Sequence, residues 1–295
     1  RYYGLTLRAL LVTDVALFMD SYAPLLRHSA LVPSPDWRRA AIGTSAREHA
    51  LRCAEVLESH LEQHHERTAA LIVEPLVQGA AGMAMYDAEY LRQARTLCDR
   101  YGVHLIIDEI MTGFGRTGTF FAHEQADIRP DFLCLSKGIT GGYLPLSVVM
   151  SRDHIYQAFY DESVTRAFLH SHSYTGNALA CRAALATLDI FEQDDVIAAN
   201  RGRSQRMTAA TKKLAAHPRV RNFRSTGMIW AFEVDSGDPA FARHFFEAAL
   251  ARELLLRPIS GNAGNTVYFM PPYVINDAEM ELLAARTLET LDATP

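Results

Sequence analysis

The chain has 295 residues, 49% of them hydrophobic, which is enough to bury a substantial core and to form two domains. Its formal net charge is −5 and it has no long basic run, so we expect no nucleic-acid partner. No apolar segment approaches the roughly 18 residues of a membrane span, and the cysteines form no CxxC pair. These features favour a cytoplasmic protein with reduced thiols and no membrane partner.

The first two thirds of the sequence predict alternating helices and strands. Short apolar runs predict strands at 69–74, 103–108, 131–136 and 145–150. Helical spacing predicts helices at 46–66, 87–101 and 177–192, with Asp87 as the N-cap of the second helix and Gly102 as its stop. Because this alternation is typical of a parallel sheet, we predict an α/β domain over residues 1–194.

The pattern changes after residue 194. A long helix is followed by a predicted strand at 228–234, a helix at 239–253, short strands around Leu255 and Val267, and a last helix from Asp277. Helices and strands no longer alternate regularly here. We therefore predict a smaller α+β domain over residues 195–295.

Two of the predicted strands end abruptly in charged residues. The run from Leu105 to Ile107 ends in Asp108-Glu109, and the run from Leu133 to Ser136 ends in Lys137. The carboxyl ends of buried parallel strands meet at one edge of the sheet, where open α/β sheets bind ligands. A lysine that forms a Schiff base and an aspartate that pairs with a pyridinium nitrogen are the groups that pyridoxal phosphate (PLP) requires. Lys137 and Asp108 are the candidates for these two catalytic roles.

Simpler interpretations exist for both residues. A lysine after a strand is usually a solvated loop residue, and Asp108-Glu109 is also compatible with an acidic cap on a following helix. However, Lys137 precedes a glycine-rich turn, from Gly138 to Gly142, which lets the backbone approach a ligand closely. Gly138 is therefore a candidate substrate-binding residue.

Two further motifs point to other chemistry. Residues 113–118 satisfy the pattern G-x-G-x-x-G, but a dinucleotide site would need these glycines to open a helix, and no clean amphipathic helix follows them. His64-His65 and the pair His170 and His172 lack acidic or thiol partners at a metal-binding spacing. We expect neither a nicotinamide cofactor nor a metal.

The run from Asp108 to Gly118 resembles the signature of the class III aminotransferases, which are PLP-dependent enzymes of fold type I. Further segments match this family in the expected order, at 73–80, 130–131, 136–142, 145–147 and 172–181. The resemblance implies a large domain with a mostly parallel sheet, incomplete at its N-terminus, and a small C-terminal α+β domain. It also implies PLP as the cofactor.

The resemblance assigns further residues to the cofactor. The position of Tyr2 matches an aromatic residue that stacks on the cofactor and borders the substrate. Glu74 matches a residue close to the cofactor, and Ser173 matches a hydroxyl that reaches the cofactor phosphate of the neighbouring subunit. The expected partner is therefore a second copy of the chain, in a homodimer with shared active sites.

Within the family, three features resemble the branch that acts in biotin synthesis. They are Met111, the pair Arg257-Pro258 and the block from Tyr268 to Tyr273. This branch transfers the amino group of S-adenosylmethionine to 8-amino-7-oxononanoate. The resemblance implies that Arg257 binds a substrate carboxylate and that Tyr268 lines the substrate pocket. Transamination of an ω-amino acid with pyruvate, or of acetylornithine, remains an alternative.

Class III enzymes carry an N-terminal segment with a Gly-Ser phosphate-binding turn before the position of Tyr2. The chain starts too late to include this segment. We therefore expect either that a longer protein contains it or that the chain is a non-catalytic remnant of the fold that binds PLP weakly.

Overall fold

The computed structural model describes residues 7–10, 12, 20–26, 29–260 and 264–295. The helices are α1 (Leu7–Leu10), α2 (Ala46–His64), α3 (Glu89–Tyr101), α4 (Asp153–Gln157), α5 (Ala178–Gln193), α6 (Val196–Ala210), α7 (Lys212–Ala215), α8 (Phe241–Leu250) and α9 (Asp277–Ala293). The strands are β1 (Ala70–Val73), β2 (Val77–Gln78), β3 (Ala84–Met85), β4 (His104–Asp108), β5 (Phe132–Leu135), β6 (Val148–Ser151), β7 (Val220–Thr226), β8 (Ile229–Val234) and β9 (Thr266–Phe269).

The central sheet has the strand order β1-β4-β5-β6. β4 pairs in parallel with both β1 and β5, whereas β6 runs antiparallel to β5. The prediction of a mostly parallel sheet is therefore confirmed. In the register of β4 and β5, Asp108 pairs with Cys134, so Lys137 follows three residues after the partner of Asp108. Both charged residues thus lie at the same edge of the sheet.

Helices α2 and α3 pack against each other and share one hydrophobic core with this sheet. A capping box of Ser45 and Glu48 begins α2, and Leu57 and Leu61 are among its buried residues, as the helical spacing of apolar residues predicts. Gly102 ends α3 in the left-handed region with φ 66°, which a glycine adopts without strain. The predicted N-cap of α3 is displaced by one residue. Ala88 occupies the cap position, and Asp87 accepts a hydrogen bond from the backbone N–H of Glu89 at 2.8 Å.

A second sheet is antiparallel, with the order β7-β8-β9. Strand β7 was not predicted. The strand expected around Leu255 does not form, and residues 254–258 have no regular secondary structure. Strand β8 is buried on both faces. Ile229 and Ala231 pack into the hydrophobic core of the central sheet, while Trp230 and Phe232 pack into a second core with α8 and α9. These two cores explain the apolar run from Ile229 to Phe232 in β8.

Across the described ranges, no helix combines the length and apolar character needed to cross a membrane.

Candidate active site

A cavity of about 970 Å³ lies between the carboxyl edge of the central sheet and the β7-β8-β9 sheet. Its size is within the range of small-molecule and cofactor sites. Four predicted site residues line it, namely Glu74, Lys137, Gly138 and Tyr268. Other parts of its wall come from residues 113–118, which we call the glycine-rich loop, and from the block at 268–273; they include Gly113, Phe114, Arg116, Met270 and Tyr273.

Lys137 stands at the end of β5, where the backbone turns sharply. Its φ is 46°, in the left-handed region that non-glycine residues occupy at a cost of about 1–3 kcal/mol. Gly138 follows, and a β-carbon there would lie 3.0 Å from the side chain of Phe114. The hydroxyl of Ser136 donates to the carbonyl of Leu146 at 2.8 Å and secures the preceding residue. The backbone is thus held in a conformation that places Lys137 in the cavity wall rather than in an unconstrained loop.

Asp108 is buried at the end of β4, and its Oδ1 accepts a hydrogen bond from the N–H of Ile110 at 2.9 Å. Burial raises the pKa of this carboxyl from 3.8 to about 6, although the bond from Ile110 and the nearby charge of Lys137 both lower it. Residues 110–120 form turns, not a helix. The helix-cap interpretation of Asp108 is therefore wrong, and residues 113–118 lack the helix that a dinucleotide site requires.

Glu109 has a role that the sequence did not predict. Its side chain is fully buried and accepts hydrogen bonds from the hydroxyl of Thr112 at 2.9 Å and from the backbone N–H groups of Ala122 and His123 at 3.0 and 2.8 Å. Glu109 therefore ties both ends of the glycine-rich loop to the end of β4. Only its position directly after Asp108 hinted at a function, since its partners lie up to 14 residues further along the chain.

Arg116 adds a positive charge to the cavity wall. Its guanidinium donates to the carbonyls of Pro271 and Met228 at 2.9 and 3.3 Å and lies 4.5 Å from the centre of the Tyr273 ring. Burial lowers the pKa of Arg116. A partly buried cation in the cavity wall favours an anionic ligand group.

These side chains fit PLP. A protonated ring nitrogen would offset the desolvation of the Asp108 carboxylate, which is the cause of its raised pKa. Lys137 lies in the wall of a cavity large enough for the cofactor and a substrate. Within the described ranges, no group of three or more His, Cys, Asp or Glu residues is arranged to hold a metal ion.

The remaining predicted site residues differ in their placement. Glu74 is buried, and its Oε2 accepts from the N–H of Gly79 at 2.9 Å. Arg257 and Ser173 are exposed, and neither belongs to the cavity wall formed by the described residues. Tyr2 lies outside the described residues.

A sequence model of the family described as aminotransferase class-III matches residues 1–291. The chain belongs to the class III aminotransferases. Members of this family are PLP-dependent enzymes of fold type I, as the sequence resemblance implied. The chain is 45% identical to the adenosylmethionine-8-amino-7-oxononanoate aminotransferase of Helicobacter pylori, over 99% of this chain and 65% of that protein. It is 37% identical to the protein of the same name from Nitratidesulfovibrio vulgaris, over 96% of this chain and 53% of that protein.

Solved structures of an aminotransferase and a transaminase have the same fold. The adenosylmethionine-8-amino-7-oxononanoate aminotransferase of Methanocaldococcus jannaschii superposes with a TM-score of 0.88 at 31% identity, covering 99% of this chain and 66% of that chain. An omega transaminase of Pseudomonas jessenii in complex with PMP superposes with a TM-score of 0.90 at 26% identity, with the same two coverages. The chain thus spans between about half and two thirds of the length of these relatives.

Proposed function

We propose that this protein is a PLP-dependent aminotransferase of biotin synthesis, which moves the amino group of S-adenosylmethionine to 8-amino-7-oxononanoate and forms 7,8-diaminononanoate. The observation that carries the proposal is the combination of Lys137 in the cavity wall with a buried Asp108 at the same sheet edge. The substrate assignment is supported by the names of the relatives from Helicobacter pylori and Nitratidesulfovibrio vulgaris.

Bound PLP supplies an electron sink for the carbanion that forms when a substrate carbon loses its proton. The Nζ of Lys137 would hold the cofactor and, once an amino substrate has displaced it, would move that proton as a general base and acid. The carboxylate of Asp108 would keep the ring nitrogen protonated. Glu109 would keep the glycine-rich loop in place beside it.

The roles of the other residues follow from the family resemblance. Residues 1–194 would form the PLP-binding domain and residues 195–295 the small domain. Arg257 would bind the carboxylate of the keto acid in a bidentate fork, while Tyr268 and Gly138 would border the substrate. Tyr2 and Glu74 would contact the cofactor or lie near it.

We further propose a cytoplasmic homodimer in which Ser173 contributes to the cofactor phosphate site of the other subunit. The exposure of Ser173 on a turn is compatible with contact across an interface. Mixing Lys137→Ala and Ser173→Ala subunits tests this proposal. Each mixed dimer would contain one site with both Lys137 and Ser173 intact, so PLP binding and activity should return. If mixed dimers stay as inactive as the parents, Ser173 does not act across the interface.

The role of Lys137 is tested by borohydride reduction of the PLP-loaded protein followed by peptide mapping. We expect the pyridoxyl label on Lys137 alone. Label on Lys212 or Lys213, or no label at saturating PLP, would contradict the assignment and favour a non-catalytic remnant.

The substrate is tested by single-turnover spectroscopy with S-adenosylmethionine, ω-amino acids and acetylornithine. We expect S-adenosylmethionine to convert the cofactor. Conversion by an ω-amino acid but not by S-adenosylmethionine would replace the biotin assignment with another class III reaction. In addition, Arg257→Ala should raise KM for the keto acid far more than for S-adenosylmethionine, because only the keto acid carries a distal carboxylate. Loss of such a partner costs about 2–5 kcal/mol.

A further inference from the structure

Four charged side chains form a cluster beside the cavity without lining it in the described part of the chain. We call them the charge cluster: Asp36, Arg38, Arg224 and Glu233. Asp36 and Arg38 precede α2, whereas Arg224 lies on β7 and Glu233 on β8. The cluster therefore joins the segment before α2 to the β7-β8-β9 sheet.

Ion pairs connect all four members. Glu233 contacts Arg38 at 2.8 Å and Arg224 at 2.7 Å, and Arg38 contacts Asp36 at 2.7 Å. Their side chains are between 3% and 16% exposed, so water screens these pairs little. With two guanidinium groups and two carboxylates, the cluster has no net charge. The removal of one carboxylate would leave an uncompensated positive charge inside the protein.

The two arginines also hold the turn between β2 and β3. Arg38 donates to the carbonyls of Ala81 and Gly82 at 3.0 and 3.4 Å. Arg224 donates to the carbonyls of Gly82 and Met83 at 2.5 and 3.0 Å. Three consecutive carbonyls of this turn are thus bound by buried guanidinium groups. The same turn lines the cavity through Gly79, Ala80 and Met83.

The other end of the cluster is connected to the opposite cavity wall. Glu233 on β8 pairs in register with Thr266 on β9. Two residues further along β9, Tyr268 lines the cavity. The charge cluster thus connects the turn at 79–83 with strand β9, which are two separate walls of one site.

We propose that the charge cluster is a positioning device that sets the distance between the turn at 79–83 and strand β9, and hence the width of the active-site cavity. The proposal rests on the aminotransferase function proposed above for its kinetic part only. Because none of the four is among the described residues that line the cavity, we assign them a positioning role and not a catalytic one. A misplacement of about 1 Å in a site wall can reduce the rate about 100-fold.

The test compares Glu233→Gln with Asp131→Asn in the complete protein. Asp131 forms a buried ion pair with Arg95 at 2.8 Å inside the large domain and has no contact with the turn, so its variant reports general destabilisation. We expect Glu233→Gln to increase hydrogen exchange of the amides at 79–83 at least tenfold in the PLP-free protein. In the PLP-loaded enzyme, KM for the keto acid should rise at least tenfold. Asp131→Asn should lower Tm without either effect.

Charge balance supplies a second test. The double variant Arg38→Met with Glu233→Gln removes one charge of each sign. Compared with Glu233→Gln alone, it should therefore regain part of the exchange protection at 79–83 and have a KM for the keto acid closer to that of the wild type. Arg38→Lys retains the charge but cannot form the guanidinium fork, so the fold should persist with weaker protection at 79–83. Unchanged exchange at 79–83 in all three variants would overturn the proposal. If the proposed aminotransferase function is wrong instead, the effects on exchange should still be observed, whereas neither the wild type nor any variant should transaminate.

Discussion

Replacement of Asp108 by Asn separates two effects of the buried carboxylate. One is the loss of folding stability that burial of its charge causes, and the other is its contribution to PLP-dependent activity. Asp108 is 5% exposed and its pKa is raised from 3.8 to about 6, chiefly because burial disfavours the charged form. The folded protein therefore binds the Asp108 proton more tightly than the unfolded chain does. Consequently, the contribution of this group to the free energy of unfolding decreases as pH rises from about 4 to about 6.

The magnitude follows from the two pKa values. Their separation corresponds to about 3 kcal/mol of destabilisation once pH exceeds about 6. Asn is nearly isosteric with Asp and cannot ionise. The PLP-free Asp108→Asn variant should therefore be more stable than the wild type at neutral pH. Part of the wild-type destabilisation is already present at about pH 4.5. The stability advantage of the variant should therefore grow by about 2 kcal/mol between about pH 4.5 and about pH 8.

Urea unfolding of both PLP-free proteins at these two pH values measures the difference. With PLP bound the order should reverse, because the wild-type carboxylate then pairs with the ring nitrogen, and the variant should transaminate at least about 100-fold more slowly. A PLP-free variant that is no more stable than the wild type at pH 8, or whose advantage does not depend on pH, would refute the reasoning.

Three further predictions concern the glycine-rich loop and the core. Gly227→Ala should destabilise the fold by about 3 kcal/mol in urea unfolding, since its β-carbon would lie 2.3 Å from the loop backbone. Gly43→Ala is the matched control, because Gly43 also has a positive φ (82°, against 53° for Gly227) but nothing within 4 Å of the added carbon, so its variant should lose much less stability. Glu109→Gln should cost about 1–3 kcal/mol and weaken PLP binding, because one amide oxygen cannot accept all the bonds that the carboxylate accepts. Cys98, whose pKa burial raises to about 12, should be alkylated by iodoacetamide only after unfolding, whereas the exposed Cys181 should react in the native protein; rapid labelling of Cys98 itself, located by peptide mapping, would contradict its burial.

Local patterns were sufficient to predict the central sheet and its two charged strand ends. The apolar runs before Asp108 and Lys137 are short and continuous because both strands are covered by other elements, and parallel strands bring their carboxyl ends to one edge. The helix stop at Gly102 was equally local, since it depends on one residue that tolerates positive φ. The family motifs added the functions that these positions serve.

Strand β7 was missed because Arg221, Asn222 and Arg224 interrupt its pattern, and its pairing with β8 outweighs their low strand preference. The strand predicted at Leu255 does not form, because a favourable local pattern there lacks a strand to pair with among the described residues. Its apolar residues suggested a strand, but Leu255 has no paired neighbour and is exposed.

Tertiary structure alone decided the function of Glu109 and the existence of the charge cluster. The ion pair between Arg38 and Glu233 joins residues 195 positions apart, and no local rule relates such positions. A charged residue in a sequence is normally interpreted as exposed, because burial of an unpaired charge is costly. Only the fold supplies the opposite charge that makes burial tolerable, so residues such as Arg224 and Glu233 could be recognised only after the chain segments had been brought together.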